Sequence, residues 1–213
     1  MVEKVYVTYN DVHKLCQEGA EKILSTLQPQ LMIAIGGGGY VPARILRSFL
    51  KKSDGPNIPI QAIGLSLYER NSTIGADSGI VDKIGTEVTR TQWLDFSGLG
   101  GVENLVGKRI LIVDEVDDTR TTLQYAVEEL QKDVEKVSKE LGRENEKTEF
   151  SIFVLHNKDK QKKGVLPAGA ITDSRYIAAR TVGDVWICYP WEAIDIDEHD
   201  TLAAEQKNKT AAA

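Results

Sequence analysis

The chain has little cysteine, no basic excess and no long apolar run. Its two cysteines, Cys16 and Cys188, lie far apart without metal-ligand spacing. That excludes a disulfide scaffold and a zinc ribbon, and it suits free, buried thiols in a reducing compartment. Lys and Arg number 26 against 32 Asp and Glu, a formal net charge of −6, so the basic footprint of a nucleic-acid or membrane-surface binder is missing. No stretch approaches the roughly 20 apolar residues of a membrane span. Residues 1–10 hold no apolar core of a secretory signal. The expectation is a cytoplasmic protein that binds neither nucleic acid nor membrane. With 213 residues, 41% of them hydrophobic, the chain can bury one sizeable core. We expect one domain over residues 1–200 and a frayed tail over 201–213, which lacks core residues.

What is present reads as alternating strands and helices. Val5, Val7 and Tyr9 alternate weakly, as in a short edge strand, and Asn10 or Asp11 is placed to cap a helix reaching Thr26. Residues 31–35 are wholly apolar, the pattern of a strand covered on both sides in a parallel sheet. Four glycines follow at 36–39, then a helix over 41–50 with Pro42 in its first turn, then a strand over 60–67. Residues 69–85 are polar and aperiodic, and a long mobile loop is expected between 69 and 101, with a strand over 88–94. Residues 110–113 and 150–155 read as further buried strands, separated by an amphipathic helix over 123–137 and a charged insertion to 149. Short strands at 177–179 and 185–188 complete the count. The fold class is α/β with a central, mostly parallel sheet flanked by helices.

Ligands of such sheets bind beyond the carboxyl ends of strands. The candidates there are residues 36–39, 114–122, 156–158 and 186–192. The second group carries most information: a buried strand runs into Asp114 and Glu115, then Asp117 and Asp118, then Thr119, Thr121 and Thr122 ahead of a helix. Read alone, this is a strand, an acidic turn and a hydroxyl-rich loop. Adjacent carboxylates there need a metal, sugar hydroxyls or other donors. The threonines and the first N–H groups of the helix form an anion site. The glycine run allows close backbone approach to another anion. It is not a P-loop, because no Gly-Lys-Ser/Thr ending follows. The lysines at 158–163 read more as a solvated loop than as a phosphate patch.

The stretch Ile110-Leu-Ile-Val-Asp-Glu-Val-Asp-Asp-Thr-Arg-Thr-Thr resembles the phosphoribosyl-pyrophosphate (PRPP) motif of type I phosphoribosyltransferases. Val185-Trp186-Ile187 with Tyr-Pro-Trp-Glu after it, and Leu155-His156-Asn157-Lys158, resemble segments of the 6-oxopurine branch of that family, and Arg90-Thr-Gln-Trp-Leu-Asp, Val113 to Thr122 and Phe153-Val-Leu-His-Asn-Lys look especially like fungal purine-salvage enzymes. The resemblance runs from about residue 5 to residue 197. It implies the family's fold, with a flexible lid and a small hood formed by the N-terminal segment and residues 160–200. It also implies its reaction: PRPP and a 6-oxopurine give a nucleoside 5′-monophosphate and pyrophosphate, with Mg²⁺ as cofactor. Hypoxanthine and guanine are the expected bases, giving IMP and GMP. Xanthine, giving XMP, is the alternative, and a PRPP-sensing regulator is a reading from another class.

The resemblance also assigns roles. Asp114 and Glu115 would hold the ribose hydroxyls and help place Mg²⁺, with Glu192 as the acid for a second metal. Thr119, Arg120, Thr121 and Thr122 would cradle the 5′-phosphate, and Asp118 would manage the proton at the purine N7. Gly37 and Gly38 would form the pyrophosphate loop and the place of a non-proline cis peptide. Trp186 would stack on the base, the Ile187 backbone would read its edge, and Lys158 or His156, with Lys158 preferred, would meet the 6-oxo group. A cationic donor there selects an oxo over an amino group. Ser66 and Tyr68 match the lid element, and a homodimer is the family's habit. Arg120 stands where the family has glycine. Either that position tolerates φ < 0 poorly and arginine is strained there, or its N–H serves while the side chain points outward; the second is the expectation.

Overall fold

The computed structural model describes residues 3–51, 55–68, 87–93, 104–168, 171 and 173–211. Among the described residues, eight strands and four α-helices follow one another as β1 (Lys4–Tyr6), α1 (Tyr9–Thr26), β2 (Leu31–Gly36), α2 (Tyr40–Leu50), β3 (Ile60–Tyr68), β4 (Glu87–Gln92), β5 (Arg109–Asp117), α3 (Thr121–Glu140), β6 (Glu149–Lys158), β7 (Tyr176–Val182), β8 (Trp186–Cys188) and α4 (Ile196–Ala211). The main sheet has the order β4-β3-β2-β5-β6-β7. β4 is antiparallel to β3, and every other neighbouring pair is parallel.

The apolar runs of β2, β5 and β6 need cover on both sides of the sheet, and the helices supply it. On one side, Val12, Cys16, Ala20 and Ile23 of α1 and Ala43, Leu46 and Leu50 of α2 pack on Met32, Ala34, Leu111, Val113 and Phe153. On the other, α3 presents Leu123, Ala126, Val127, Leu130 and Val134 at helical spacing to Ile33, Ile35, Ile110, Ile112 and Ile152. Burying each such large side chain contributes about 1.5–3 kcal/mol. Phe153 lies against Gly19 so closely that a Cβ on that glycine would overlap the ring.

The two covers explain where a ligand can sit. From β2 the chain crosses through α2 to β3 on one side of the strand order, whereas from β5 it crosses through α3 to β6 on the other. The crossovers diverge between β2 and β5, and a crevice opens at their carboxyl ends. Residues 36–39 and 114–122 border it.

Several boundaries differ from the sequence reading. α1 begins one turn earlier, because Thr8 rather than Asn10 or Asp11 is the cap: its Oγ1 accepts from the Asp11 N–H at 3.2 Å and Asp11 accepts from the Thr8 N–H at 3.1 Å. β5 continues through Asp117 and β6 through Lys158, so the acids of the expected turn stand in a strand. Parallel pairing continues there, Asp114 opposite Val154, Val116 opposite His156 and Asp117 opposite Asn157. The tail does not fray through Ala211. It forms α4, with Ala203 and His199 buried, and His199 Nε2 lies 2.9 Å from the Val7 carbonyl. Gln206 donates to the Lys4 carbonyl at 2.6 Å and accepts from the Tyr6 N–H at 2.9 Å. This anchors β1, which pairs in parallel with β8 as a separate two-stranded sheet. The expected lid residues 69–86 lie outside the described residues, as do the side chains of Ser66 and Tyr68, whose backbone closes β3.

Candidate active site

Four chain segments meet at the crevice, and backbone geometry brings the first two together. The Gly36–Gly37 peptide is cis, one bond earlier than the expected Gly37–Gly38. A Cβ on Gly38 would overlap the Glu115 carboxylate, and one on Gly39 would overlap the Val113 and Ile35 carbonyls. The glycine run therefore lies directly on the acidic end of β5, where a larger residue would displace Glu115. Gly37 has open space around its Cβ position.

The β5 carboxylates are held unequally. Asp114 is buried and accepts the Glu115 N–H at 2.9 Å. Burial, and then the neighbouring Glu115 charge, push its carboxyl well above the usual carboxylate range. Burial and Glu115 likewise raise Glu192, so the Glu115 charge bears on both acids. Among the described residues, His, Cys, Asp and Glu form no group of three or more able to hold a metal.

Asp117 is fully buried and was given no role from sequence. Its Oδ2 accepts from Arg120 Nε at 2.9 Å, lies 2.8 Å from Arg120 Nη2 and accepts from Tyr176 Oη at 2.6 Å. Arg120 caps α3 in the left-handed region, φ 69°, with its guanidinium 4.9 Å from the Tyr176 ring centroid. The expectation for the side chain changes. The position does adopt φ > 0, and the side chain does not point outward: it is drawn in by a buried acid and stacked on a ring. Ion pair and stacking together hold the residue where glycine would be easier. The loop so fixed leaves the first N–H groups of α3 without intrahelical acceptors, and Thr119 Oγ1 and Thr121 Oγ1 lie 3.0 Å apart beside them.

The lysine cluster is not a solvated loop. Lys162 turns inward and donates to the carbonyls of Asp117, Asp118 and Lys158 at 2.7, 3.0 and 2.8 Å. The N–H groups of Lys163 and Gly164 both donate to the Thr119 carbonyl at 3.0 Å. Residues 162–164 thus wrap the threonine loop from behind. The alternation of Lys158, Lys160 and Lys162 was the available signal.

Asp118 faces a different set of partners. Lys158 Nζ is 3.3 Å from Oδ2 and Lys160 Nζ is 2.9 Å from Oδ1. Burial would raise this carboxyl, but the hydrogen bond from Lys160 and the charges of Lys158 and Lys160 prevail and lower it. His156 is placed elsewhere. Its Nδ1 is 2.9 Å from Tyr189 Oη, which donates to the Glu115 carbonyl at 3.0 Å. Burial, then Arg180, lower the His156 pKa from 6.5 to about 4. This imidazole is a neutral strut turned to Tyr189, whereas Lys158 Nζ faces Asp118. Trp186 is 54% exposed, available to stack, whereas Ile187 is buried. Tyr189 stacks on Trp191 at 4.7 Å between ring centroids.

Residues 8–163, from the cap of α1 to the loop behind the threonines, match the model of the phosphoribosyl transferase domain. The chain belongs to the phosphoribosyltransferase family. It is 57% identical over 206 residues to xanthine phosphoribosyltransferase 1 of Saccharomyces cerevisiae, covering 96% of this chain and 97% of that one. It is 59% identical over 202 residues to the hypoxanthine-guanine phosphoribosyltransferase of Schizosaccharomyces pombe, covering 95% of each. Among solved structures, a protein of Neisseria gonorrhoeae with bound ppGpp is 38% identical, with a TM-score of 0.73 and coverage of 97% of this chain and 98% of that one. This phosphoribosyltransferase carries its family motif on β5 and the loop to α3, with Arg120 in the glycine position. No helix among the described residues is long and apolar enough to cross a membrane.

Proposed function

We propose that the protein transfers the 5-phosphoribosyl group of PRPP to N9 of a 6-oxopurine, giving a nucleoside 5′-monophosphate and pyrophosphate. Hypoxanthine and guanine are the bases of this reading, with xanthine as the alternative. The relatives at 57% and 59% identity bear these different names, and that similarity does not separate them. The observation that carries the reading is the pairing of Asp118 with Lys158 at 3.3 Å across the ends of two strands. One group accepts a proton and the other donates to an oxo group, and the turn to exposed Trp186 lies beside them through Asp184.

The roles follow from position. The N–H groups opening α3, with Thr119, Thr121, Thr122 and the Arg120 backbone, take the 5′-phosphate. Asp114 and Glu115 hold the ribose hydroxyls. The loop at Gly37 and Gly38 offers backbone to pyrophosphate, with Glu115 against it. Asp114 and Glu115 would help place one Mg²⁺ and Glu192 a second, supplying charge neutralisation for the departing pyrophosphate. Asp118, kept ionised by its lysines, accepts the N7 proton. Trp186 stacks on the base and the Ile187 backbone reads its edge. Ser66 and Tyr68 belong to a lid that keeps water from the ribosyl centre. A cytoplasmic homodimer completes the reading; two free cysteines fit a reducing compartment.

The test is turnover of hypoxanthine, guanine and xanthine with PRPP and Mg²⁺, followed as nucleotide formed. No nucleotide from any of the three refutes the proposal. Asp118→Asn is expected to lower kcat by roughly 10²-fold with little change in the KM for PRPP; unchanged kcat removes its catalytic role.

A further inference from the structure

Lysines on alternate residues leave the end of β6, and they do different work. Lys162 is committed to three backbone carbonyls. Lys160 makes the close ion pairs, 2.9 Å to Asp118 Oδ1 and 2.8 Å to Asp184 Oδ1. Lys158 makes only long ones to the same two acids, 3.3 Å to Asp118 Oδ2 and 3.9 Å to Asp184 Oδ1. Charge-assisted bonds between ammonium and carboxylate settle near 2.7–2.9 Å when strong, so Lys160 is the closer cation to both carboxylates and Lys158, still paired with Asp118, is the more loosely held.

The placement has a consequence for the base. The Asp159 N–H is tied to the Val182 carbonyl of β7 at 2.7 Å, which fixes the turn that carries Lys160. Asp184 stands two residues before Trp186, at the start of β8. Lys160 thereby joins the acid facing N7 to the turn that delivers the stacking ring. A lysine that must meet a 6-oxo group needs free N–H donors, and two unclaimed carboxylates at this distance would take them.

We propose that Lys160 is a positioning residue for the purine: it occupies Asp118 and Asp184 so that Lys158 remains available to the base. This rests on the 6-oxopurine reading above. With Lys160 removed, Lys158 closes on the two carboxylates, and the base must break those contacts to bind. With Asp184 neutralised as well, one competitor disappears.

The experiment uses the full chain. Wild-type turnover of a 6-oxopurine is measured first, and its absence removes the underlying reading rather than this inference. Where wild type turns the base over, Lys160→Met is expected to raise the KM for that base about five-fold, a modest effect because the pairs are partly exposed. The KM for PRPP should stay within about two-fold. Lys160→Arg, which can hold both acids, should restore the base KM. Asp184→Asn alone, at an exposed side chain, should leave the base KM equal to or below wild type, and it should relieve part of the Lys160→Met defect. A base KM unchanged in Lys160→Met overturns the proposal. So does an Asp184→Asn change that deepens the defect, which is what loss of a mere surface brace would give.

Discussion

Replacing Arg120 by glycine would restore the residue that the family motif carries at this position, and the structure says it should weaken the protein. Two effects oppose each other. Glycine releases a left-handed residue at φ 69°, worth about 1 kcal/mol or slightly more, although glycine's freer unfolded chain takes back about 0.5–1 kcal/mol. Against this, Asp117 is fully buried and loses two of its three close donors. Removing one partner of a buried pair costs about 3–5 kcal/mol. Tyr176 and Lys162 remain near the carboxylate, and Arg120 is itself 25% exposed, which places the loss at about the lower end of that range. Arg120→Gly is therefore expected to destabilise by roughly 2–3 kcal/mol, read as a shift of the urea midpoint at unchanged slope. A double-mutant cycle with Asp117→Asn isolates the pair, and its coupling should approach about 2 kcal/mol. An Arg120→Gly protein as stable as wild type, or more so, would refute the account: the arginine would then be a passenger on a backbone that prefers glycine.

The glycine run should separate by position. Gly37→Ala is expected to be neutral, whereas Gly38→Ala, by displacing the Glu115 carboxylate, should raise the KM for PRPP about ten-fold at little cost in stability. Gly39→Ala meets carbonyls that cannot move and should cost about 1–3 kcal/mol in denaturant. Equal effects at all three would contradict this geometry. His156 predicts a pH dependence. Its pKa falls from 6.5 to about 4 on folding, so the unfolded chain binds the proton more readily. Its contribution is complete above pH 6.5 and is lost as pH falls from there towards 4. Between neutrality and pH 5 wild type should lose about 2 kcal/mol more than His156→Gln, and parallel pH profiles of the two proteins would show the imidazole to be less enclosed.

The α/β class, the positions of β2, β5 and β6, and the acidic and threonine residues of the site were legible because each rests on local chemistry. A wholly apolar run needs cover on both sides, glycines after a strand permit close approach, and carboxylates beside hydroxyls before a helix suit a sugar phosphate. What pairing across strands decides was not legible. β5 and β6 extend through Asp117 and Lys158 because parallel neighbours continue to bond there, which no single-strand pattern encodes. Residues 201–211 look polar and terminal, yet α4 orders them because Ala203, His199 and Gln206 meet the N-terminal segment, across almost the full length of the chain.

Arg120 shows the same division. From the sequence alone it was a departure from a motif, with glycine's freedom apparently missing. Only the tertiary structure brings buried Asp117 and Tyr176, a residue 59 positions from that acid, around its guanidinium. Residue types and local order determined that the family's motif lies at the end of β5. Which lysine pairs most closely with Asp118, which histidine is a strut and why an arginine sits in a left-handed turn were decided by contacts between segments remote in the chain. Charge, burial and hydrogen bonding act through space, and the chain order does not record those distances.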